Sequence, residues 1–135
     1  MDQLWFLLTL VIAATSFGIY RKWSDGRTRV DSHVAKLSIT DLGVELGEKA
    51  TLVQFSSAFC APCRTTKLLL AKLVESVPGV QHVELDAESN LELVRKLDIL
   101  RTPTTLILDS SGSVRNRVVG VPKQAELLSV LANSI

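Results

Sequence analysis

Hydrophobic residues occur first in one long run and then in short blocks separated by polar turns. Residues 3–20 carry no charged side chain, and a helix of this length, rising about 1.5 Å per residue, nearly matches the roughly 30 Å hydrocarbon layer of a bilayer. Trp5, Tyr20 and Trp23 stand near the ends of the run, where aromatic side chains suit a membrane surface. The pattern predicts one N-terminal transmembrane helix, with residues 3–20 in contact with the lipid bilayer.

The segment after this helix is polar and has no hydrophobic periodicity. Its sequence over residues 24–32, S-D-G-R-T-R-V-D-S, predicts a short stalk. The chain of 135 residues leaves room for one domain of about 100 residues beyond it. We therefore predict a transmembrane anchor over residues 1–22, a stalk or linker over 23–36 and one folded domain over 37–135.

The blocks in the folded part alternate between the spacing of strands and that of helices. Strands are predicted over 51–56, 80–85, 104–108 and 114–119, with a hairpin turn at 109–112. Helices are predicted over 40–46, from Cys60 to the Pro78-Gly79 pair, over 89–97 with a stripe of Leu91, Val94 and Leu97, and over 123–132. The βαβ unit at the start makes its two strands parallel. This order predicts an α/β fold with helices on both faces of a mixed central sheet.

Charge narrows the function classes. The formal net charge is +1, which supports neither a nucleic-acid-binding surface nor an acidic disordered chain, so no nucleic-acid partner is expected. Asp2 is the only charged side chain before the apolar run, and the basic start and A-x-A site of a cleaved signal peptide are missing. An uncleaved anchor is therefore favoured over a cleaved signal or a buried soluble helix.

The charges that flank the apolar run and the number of cysteines indicate on which side of the membrane the folded domain lies. Arg21, Lys22, Arg27 and Arg29 follow the run against Asp25 alone, a bias that favours a single-pass protein with its domain on the cytoplasmic side. Only two cysteines occur, so there is no framework of several disulfides, which is compatible with a reducing compartment. An extracytoplasmic domain stays as the alternative, because a redox-active pair can work on either side.

The candidate chemistry lies in Cys60-Ala61-Pro62-Cys63, where a strand leads into a helix. Unpaired N–H groups and the dipole at a helix N-terminus stabilise a thiolate, so Cys60 is the predicted nucleophile. Cys63 lies one turn further along, near enough to form a disulfide and so to resolve a mixed disulfide. Pro62 is tolerated in the first turn, where its missing N–H breaks no hydrogen bond.

A structural disulfide and a metal site are the other uses of such a cysteine pair. A structural disulfide rarely closes so short a loop, because it would contribute little chain-entropy stabilisation. A zinc site needs about four ligands, and the remaining candidates, His33 and His82, lack zinc-finger spacing, so no metal site is predicted. Two cysteines alone could still hold a copper ion in transit.

From about residue 40 to its end the chain resembles the thioredoxin family. The resemblance rests on L-V-Q-F-S followed by F-C-A-P-C, on V-E-L-D ending at Asp86, on R-T-P-T-T-L-I-L and on V-V-G. It implies the thioredoxin fold, with a cis peptide bond between Thr102 and Pro103 beside the cysteines and extended substrate pairing with the backbone of Thr102. The substrate-binding residues it implies are Phe59, Ala61, Pro62, Thr102, Pro103 and Gly120.

The chain departs from the family pattern near the cysteines. Phe59 stands in place of a tryptophan, and Ala61 in place of a glycine, which could shift the redox potential. Gln54 occupies the position of a buried aspartate that assists deprotonation of the second cysteine, and it cannot titrate. His82 falls at the position of a nearby lysine and is a candidate proton carrier, so Gln54 and His82 are the predicted support for proton transfer.

The predicted function is thiol–disulfide exchange that reduces protein disulfides through Cys60 and Cys63. No cofactor is expected beyond the Cys60–Cys63 disulfide itself. The expected partners are protein disulfide substrates and an electron-donating reductase, and a monomer is expected. The alternatives are a copper-transfer module and a non-catalytic docking protein with a thioredoxin shape.

Overall fold

The computed structural model describes residues 1–24, 28–30 and 35–134. Its first helix is long, its strands are short, and the order of elements follows the predicted alternation. In chain order the elements are α1 Asp2–Ser24, β1 Thr28–Val30, α2 Ile39–Leu42, β2 Ala50–Ser56, α3 Ala61–Ser76, β3 Val80–Asp86, α4 Leu91–Lys96, β4 Thr104–Asp109, β5 Val114–Val119 and α5 Gln124–Ser134.

The five strands form one mixed sheet in the order β1-β5-β4-β2-β3. β2 and β3 are parallel and are connected through α3, whereas β4 pairs antiparallel with β2 and β5, and β1 pairs antiparallel with β5. The predicted α/β class and the mixed sheet are confirmed. The four strands predicted from the sequence begin and end within one residue of the observed ones.

The alternation of side chains along the central strands divides the core into two layers. One layer joins Val53, Phe55 and Leu106 to Leu42 of α2 and to Leu93 of α4. The other layer lies on the opposite face and joins α3 and α5 to the sheet through Leu52, Leu70, Leu73, Ile107, Val118, Leu127 and Leu131. Helices therefore cover both faces, as predicted, and the sheet holds the end of β2 in a fixed position.

Part of the predicted stalk is a strand. Thr28, Arg29 and Val30 pair with Val118, Arg117 and Asn116 at the edge of the sheet. The backbone N–H of Thr28 also donates to Glu126 Oε1 at 2.8 Å, which ties the strand to α5. The sequence did not predict this strand within the stalk, because the open edge of β5 offers backbone partners that no local pattern reveals. Asp25, Arg27 and His33 lie outside the described residues.

Two helices differ from their predicted form. The helix predicted over 40–46 ends at Leu42, because Gly43 takes a left-handed φ of 73° and caps it with its N–H on the Ile39 carbonyl. In the predicted stripe of the helix over 89–97, Leu97 is buried and Val94 packs against the core, as predicted, but Leu91 is 53% exposed and Leu93 is buried instead. Leu93 and Leu97 lie one turn apart on the face that meets the sheet.

Helix α1 is the candidate membrane segment. The stretch Asp2–Trp23 is long and apolar enough to cross a bilayer, and none of it is buried against the rest of the described protein. A signal sequence near the N-terminus can also be this long and this apolar. The exposed side chains include Trp5, Phe6 and Tyr20, which suit a lipid environment better than water.

Candidate active site

The two cysteines lie where β2 gives way to α3. Cys60 is the N-cap residue of α3, and its Sγ accepts a hydrogen bond from the backbone N–H of Cys63 at 3.2 Å. A disulfide joins the pair across a Cα–Cα distance of 5.2 Å. Pro62 occupies the first turn, where no intrahelical N–H is needed. The strand-to-helix position expected for the pair is thus observed.

The two sulfurs differ in their access to solvent. Cys60 is partly exposed, whereas Cys63 is only 4% exposed. Partial exposure and a helix N-terminus favour a thiolate at Cys60, because the unpaired N–H groups and the dipole stabilise negative charge. A substrate can reach Cys60 from outside, and Cys63 lies behind it, in position to attack the Cys60 sulfur.

A second loop approaches the disulfide from the start of β4. The peptide bond between Thr102 and Pro103 is cis. Thr102 Oγ1 lies 3.9 Å from Cys60 Sγ and 2.8 Å from Ser57 Oγ. The N–H of Gly120 donates to the Pro103 carbonyl at 2.8 Å, and Gly120 has a φ of 88° that a residue with a Cβ rarely adopts. The structure therefore brings Thr102, Pro103 and Gly120 together beside Cys60.

A buried polar chain lies beneath the pair. Gln54 is fully buried, and its Nε2 donates to the Cys63 carbonyl at 2.8 Å and to Ser56 Oγ at 3.0 Å. Both amide hydrogens are then used, so Gln54 Oε1 accepts from His82 Nε2 at 3.0 Å. The chain links a titratable imidazole to the backbone of the second cysteine through an amide that cannot titrate.

His82 favours its neutral form. Burial lowers the pKa of His82 from its usual value, Lys67 lowers it further, and Glu84 opposes the shift. Lys67 and Glu84 themselves form an ion pair at 3.3 Å. With Nε2 donating to Gln54, the neutral ring carries its proton on Nε2 and leaves Nδ1 as the acceptor.

An open groove of about 950 Å³ runs along the N-terminal part of α3 beside Cys60. Phe59 is fully exposed at its mouth with a left-handed φ of 58°, and Leu68 is 67% exposed. Ala61 and Arg64 also line it. The groove offers an apolar surface with a charged rim of Arg64, Lys67 and Glu84 next to Cys60.

Sequence reasoning missed some of the residues around the sulfurs. Ser57 contacts Thr102, and the hydroxyl of the buried Thr66 donates to the Pro62 carbonyl at 2.9 Å. Neither residue belongs to a pattern that points to a site. Leu68 is an apolar residue with helical spacing in the sequence, and the packing of α3 on the sheet leaves it facing solvent.

The side chains of the described residues do not form a metal site. Among residues 1–24, 28–30 and 35–134, no three His, Cys, Asp or Glu side chains are grouped so as to hold a metal ion. His82 is engaged with Gln54, and the two cysteines are bonded to each other. Among the described residues, the bonded pair Cys60 and Cys63 is therefore arranged for disulfide exchange.

Known proteins with similar sequences point to one family. The family model described as Thioredoxin matches residues 34–133. The thioredoxin of Mycobacterium bovis is 29% identical over 106 residues, which cover 75% of this chain and 90% of the relative. The bifunctional thioredoxin reductase/thioredoxin of Mycobacterium leprae is 27% identical over 122 residues, which cover 84% of this chain and 26% of the relative. Rice thioredoxin H5 is 31% identical over 72 residues, 53% of each protein. The chain thus spans about a quarter of one of these relatives and half of another.

Solved structures of thioredoxins have the same fold as this chain. Thioredoxin f from spinach chloroplast, in its short form, has a TM-score of 0.57 and 29% identity, covering 65% of this chain and 78% of that one. Oxidised mitochondrial thioredoxin 3 from Saccharomyces cerevisiae has a TM-score of 0.56 and 19% identity, covering 64% and 79%. These neighbours confirm the predicted thioredoxin fold. With the match of the family model over most of its length, this chain belongs to the thioredoxin family.

Proposed function

We propose that this chain is a membrane-tethered thiol–disulfide oxidoreductase that reduces disulfides in other proteins. The observation that carries the proposal is the position of Cys60, whose sulfur caps α3, accepts the Cys63 N–H and stays open to a substrate. Thiol–disulfide exchange needs a stabilised thiolate, a second thiol within disulfide reach and access for the substrate. The site combines all three.

The reaction moves two electrons in two exchange steps. The Cys60 thiolate attacks one sulfur of the substrate disulfide, which breaks that S–S bond, forms a mixed disulfide and releases the other substrate sulfur as a thiolate. Cys63, once deprotonated, attacks Cys60 Sγ, so that the Cys60–Cys63 disulfide forms and the second substrate thiol leaves. The two substrate thiolates take up protons, the substrate is reduced, and the protein is oxidised.

Deprotonation of Cys63 involves the polar chain beneath it. Cys63 is buried, and burial disfavours the thiolate. Gln54 positions the turn through the Cys63 carbonyl, and the proton of Cys63 passes to the substrate thiolate released in the first step or to solvent. His82, which burial keeps neutral, holds its Nε2 proton on Gln54, so its Nδ1 is the atom that would take up a proton from solvent as the proposed proton carrier.

Substrate contacts follow from the surface beside Cys60. An extended substrate segment would pair with the backbone of Thr102 and lie against Pro103, Gly120 and the ring of Phe59. The name of the Mycobacterium leprae relative couples a thioredoxin reductase with a thioredoxin, which supports a reductase as the electron donor here. The chain itself would act as a monomer without a bound cofactor.

The anchor places this activity at a membrane. Helix α1, which is long and apolar enough to cross a bilayer and ends in Arg21 and Lys22, is the proposed membrane anchor. These basic residues favour the cytoplasmic side for the domain. In that compartment the glutathione poise drives exchange toward reduction of substrates.

Reduction of insulin in the presence of a small dithiol donor tests the activity. The full chain in detergent should accelerate insulin precipitation, Cys60→Ser should abolish this effect, and Cys63→Ser should accumulate a mixed disulfide that excess dithiol releases. Ser110→Ala, at an exposed turn at the far end of β4, is the matched control and should behave like the wild type. Equal rates for the wild type and Cys60→Ser would refute the proposal and favour a docking role.

A further inference from the structure

We infer that the end of the domain that carries the disulfide faces the membrane, and that the substrates are disulfides in membrane proteins close to the bilayer surface. This inference rests on the proposed function for its chemistry. Its geometric part, which concerns the direction of the active site, rests on the pairing of β1 and on the length of chain between β1 and the anchor.

Strand β1 enters the sheet level with the active site. Thr28 pairs with Val118, Val118 pairs with Thr105, and Thr105 pairs with Gln54. These four residues form one row across the sheet, and Gln54 at its end bonds to the Cys63 carbonyl. At about 4.8 Å between neighbouring strands, Thr28 lies about 14 Å from Gln54 along this row. The junction with the anchor is therefore at the active-site end.

The direction of β1 leads to the same end. β2 runs toward Cys60, β5 runs the same way because both strands are antiparallel to β4, and β1 runs opposite to β5. The chain thus arrives from the anchor at the end of the sheet that bears the disulfide. From there it continues toward the opposite end, where Lys36 bridges to Ser113.

The opposite orientation would use up the whole connection. Helix α1 ends at Ser24 and β1 starts at Thr28, so four Cα steps join them and span at most about 14 Å. The helical residues after Arg21 add about 5 Å at 1.5 Å per residue. With the active site pointing away from the bilayer, this connection would have to pass the sheet from the row of Gln54 to Ala50, about 13 Å, and then a headgroup layer of about 6 Å, so it would have to be fully extended. With the disulfide end toward the bilayer, no such extension is needed.

The surface at this end suits a bilayer interface. Phe59 is fully exposed and Leu100 is 93% exposed, on the two loops that flank Cys60. Arg64 is exposed in the first turns of α3. Apolar side chains beside a basic one are the composition that favours the headgroup region of anionic membranes. This chemistry at the membrane-facing end is independent of the tether length and points the same way.

The substrate class follows from this placement. A disulfide in a loop of an integral membrane protein lies within the layer that the active site faces, and both proteins diffuse in one plane, which raises its effective concentration. A bulky soluble protein would have to enter the gap between the domain and the bilayer. The exchange steps themselves are those of the proposed function, and a small dithiol is the electron donor in the assay below.

Distances to the bilayer test the geometric part directly. The full chain is placed in vesicles of phosphatidylcholine with a minor fraction of phosphatidylglycerol, with Cys60→Ser and Cys63→Ser to remove other thiols. A fluorophore is attached through Leu100→Cys, near the active site, or through Ser110→Cys, at the opposite end. Energy transfer to headgroup-labelled lipid should place the label at position 100 about 20 Å nearer to the bilayer. Equal distances, a reversed order or no transfer from either label would overturn the inference.

A lengthened tether provides the control and the functional test. A flexible insert of about 20 Gly and Ser residues between Gly26 and Arg27 should remove the difference in distance. Two substrates with the same disulfide loop are compared, one carried by a single-span peptide in the same vesicle and one free in solution. The unmodified wild type should reduce the membrane-bound loop at least about tenfold faster, and the insert should lower this preference several-fold. Full activity on insulin without such a preference would refute this inference alone. Inactivity on every substrate would refute the proposed function, while the distances would still decide the orientation.

Discussion

The buried amide of Gln54 should stabilise the fold through its hydrogen bonds, and Gln54→Leu tests this. Leucine has a similar size, so packing is largely retained, but the Cys63 carbonyl, Ser56 and His82 each lose a partner. Net losses of about 1 kcal/mol per hydrogen bond are partly offset by burying an apolar side chain instead of an amide. We expect a loss of about 2 kcal/mol in the free energy of unfolding, or about 10 °C in the melting temperature of a domain this size.

Thr105→Val is the matched control for this variant. Thr105 pairs directly with Gln54 across β4 and β2, is fully buried, and its hydroxyl has no hydrogen-bond partner. Valine has the same shape, so its introduction should leave stability unchanged or raise it by about 1 kcal/mol. Urea unfolding of the oxidised full chain in detergent, followed by circular dichroism, measures both variants. Tryptophan fluorescence is unsuitable because Trp5 and Trp23 lie in α1.

Two results would refute this reasoning. Unfolding of Gln54→Leu at the same urea concentration as the wild type would mean that the polar chain contributes nothing to folding. Destabilisation of Thr105→Val as large as that of Gln54→Leu would mean that any change in this row of the sheet is harmful. Either outcome would remove the structural basis for assigning Gln54 a positioning role at Cys63.

Three further predictions concern pH and backbone geometry. In the folded protein the pKa of His82 lies below its usual 6.5, because burial favours the neutral ring. The neutral ring's contribution to stability is therefore complete above pH 6.5 and is lost as the pH falls through the folded pKa. His82→Gln should flatten this part of a plot of unfolding free energy against pH. Burial raises the pKa of Asp109, but hydrogen bonds from Ser111, Arg115 and Ser113 outweigh burial and lower it to about 2. Asp109→Asn should therefore cost about 1–2 kcal/mol at neutral pH, a difference that thermal melts should show vanishing as the pH approaches 2. Gly112→Ala should cost about 2–4 kcal/mol in urea unfolding, since its φ is 87° and its Cβ would overlap the Leu37 carbonyl, whereas Gly43→Ala, with φ 73° and open space, should cost about 1 kcal/mol.

Elements defined by local chemistry could be predicted from the sequence. The runs over 51–56 and 104–108 are bounded by turn or proline residues and rich in β-branched side chains, and they are strands in the structure. The Cys60-Ala61-Pro62-Cys63 segment carries its own helix-start signal, so its place at the N-terminus of α3 followed from the residues alone.

Elements defined by contacts between distant residues could not be predicted. The three residues of β1 form a strand only because β5 presents an open edge, and the charged Arg29 gives no sign of it. The buried face of α4 is set by its packing on the sheet, which selects Leu93 over Leu91. Likewise, the pairing of Ser57 with Thr102 depends on two loops that are 45 residues apart in the chain.

Phe59 has a consequence for engineering this chain. Its backbone is in the left-handed region, which costs a residue with a Cβ about 1–2 kcal/mol, and its ring is fully exposed in the unbound protein. Phe59→Gly would relieve the backbone without removing a core contact, and so would raise resistance to heat. The same change would remove the largest apolar group beside Cys60 and with it a surface for substrates. Selection for thermal stability and selection for activity would therefore oppose each other at this position.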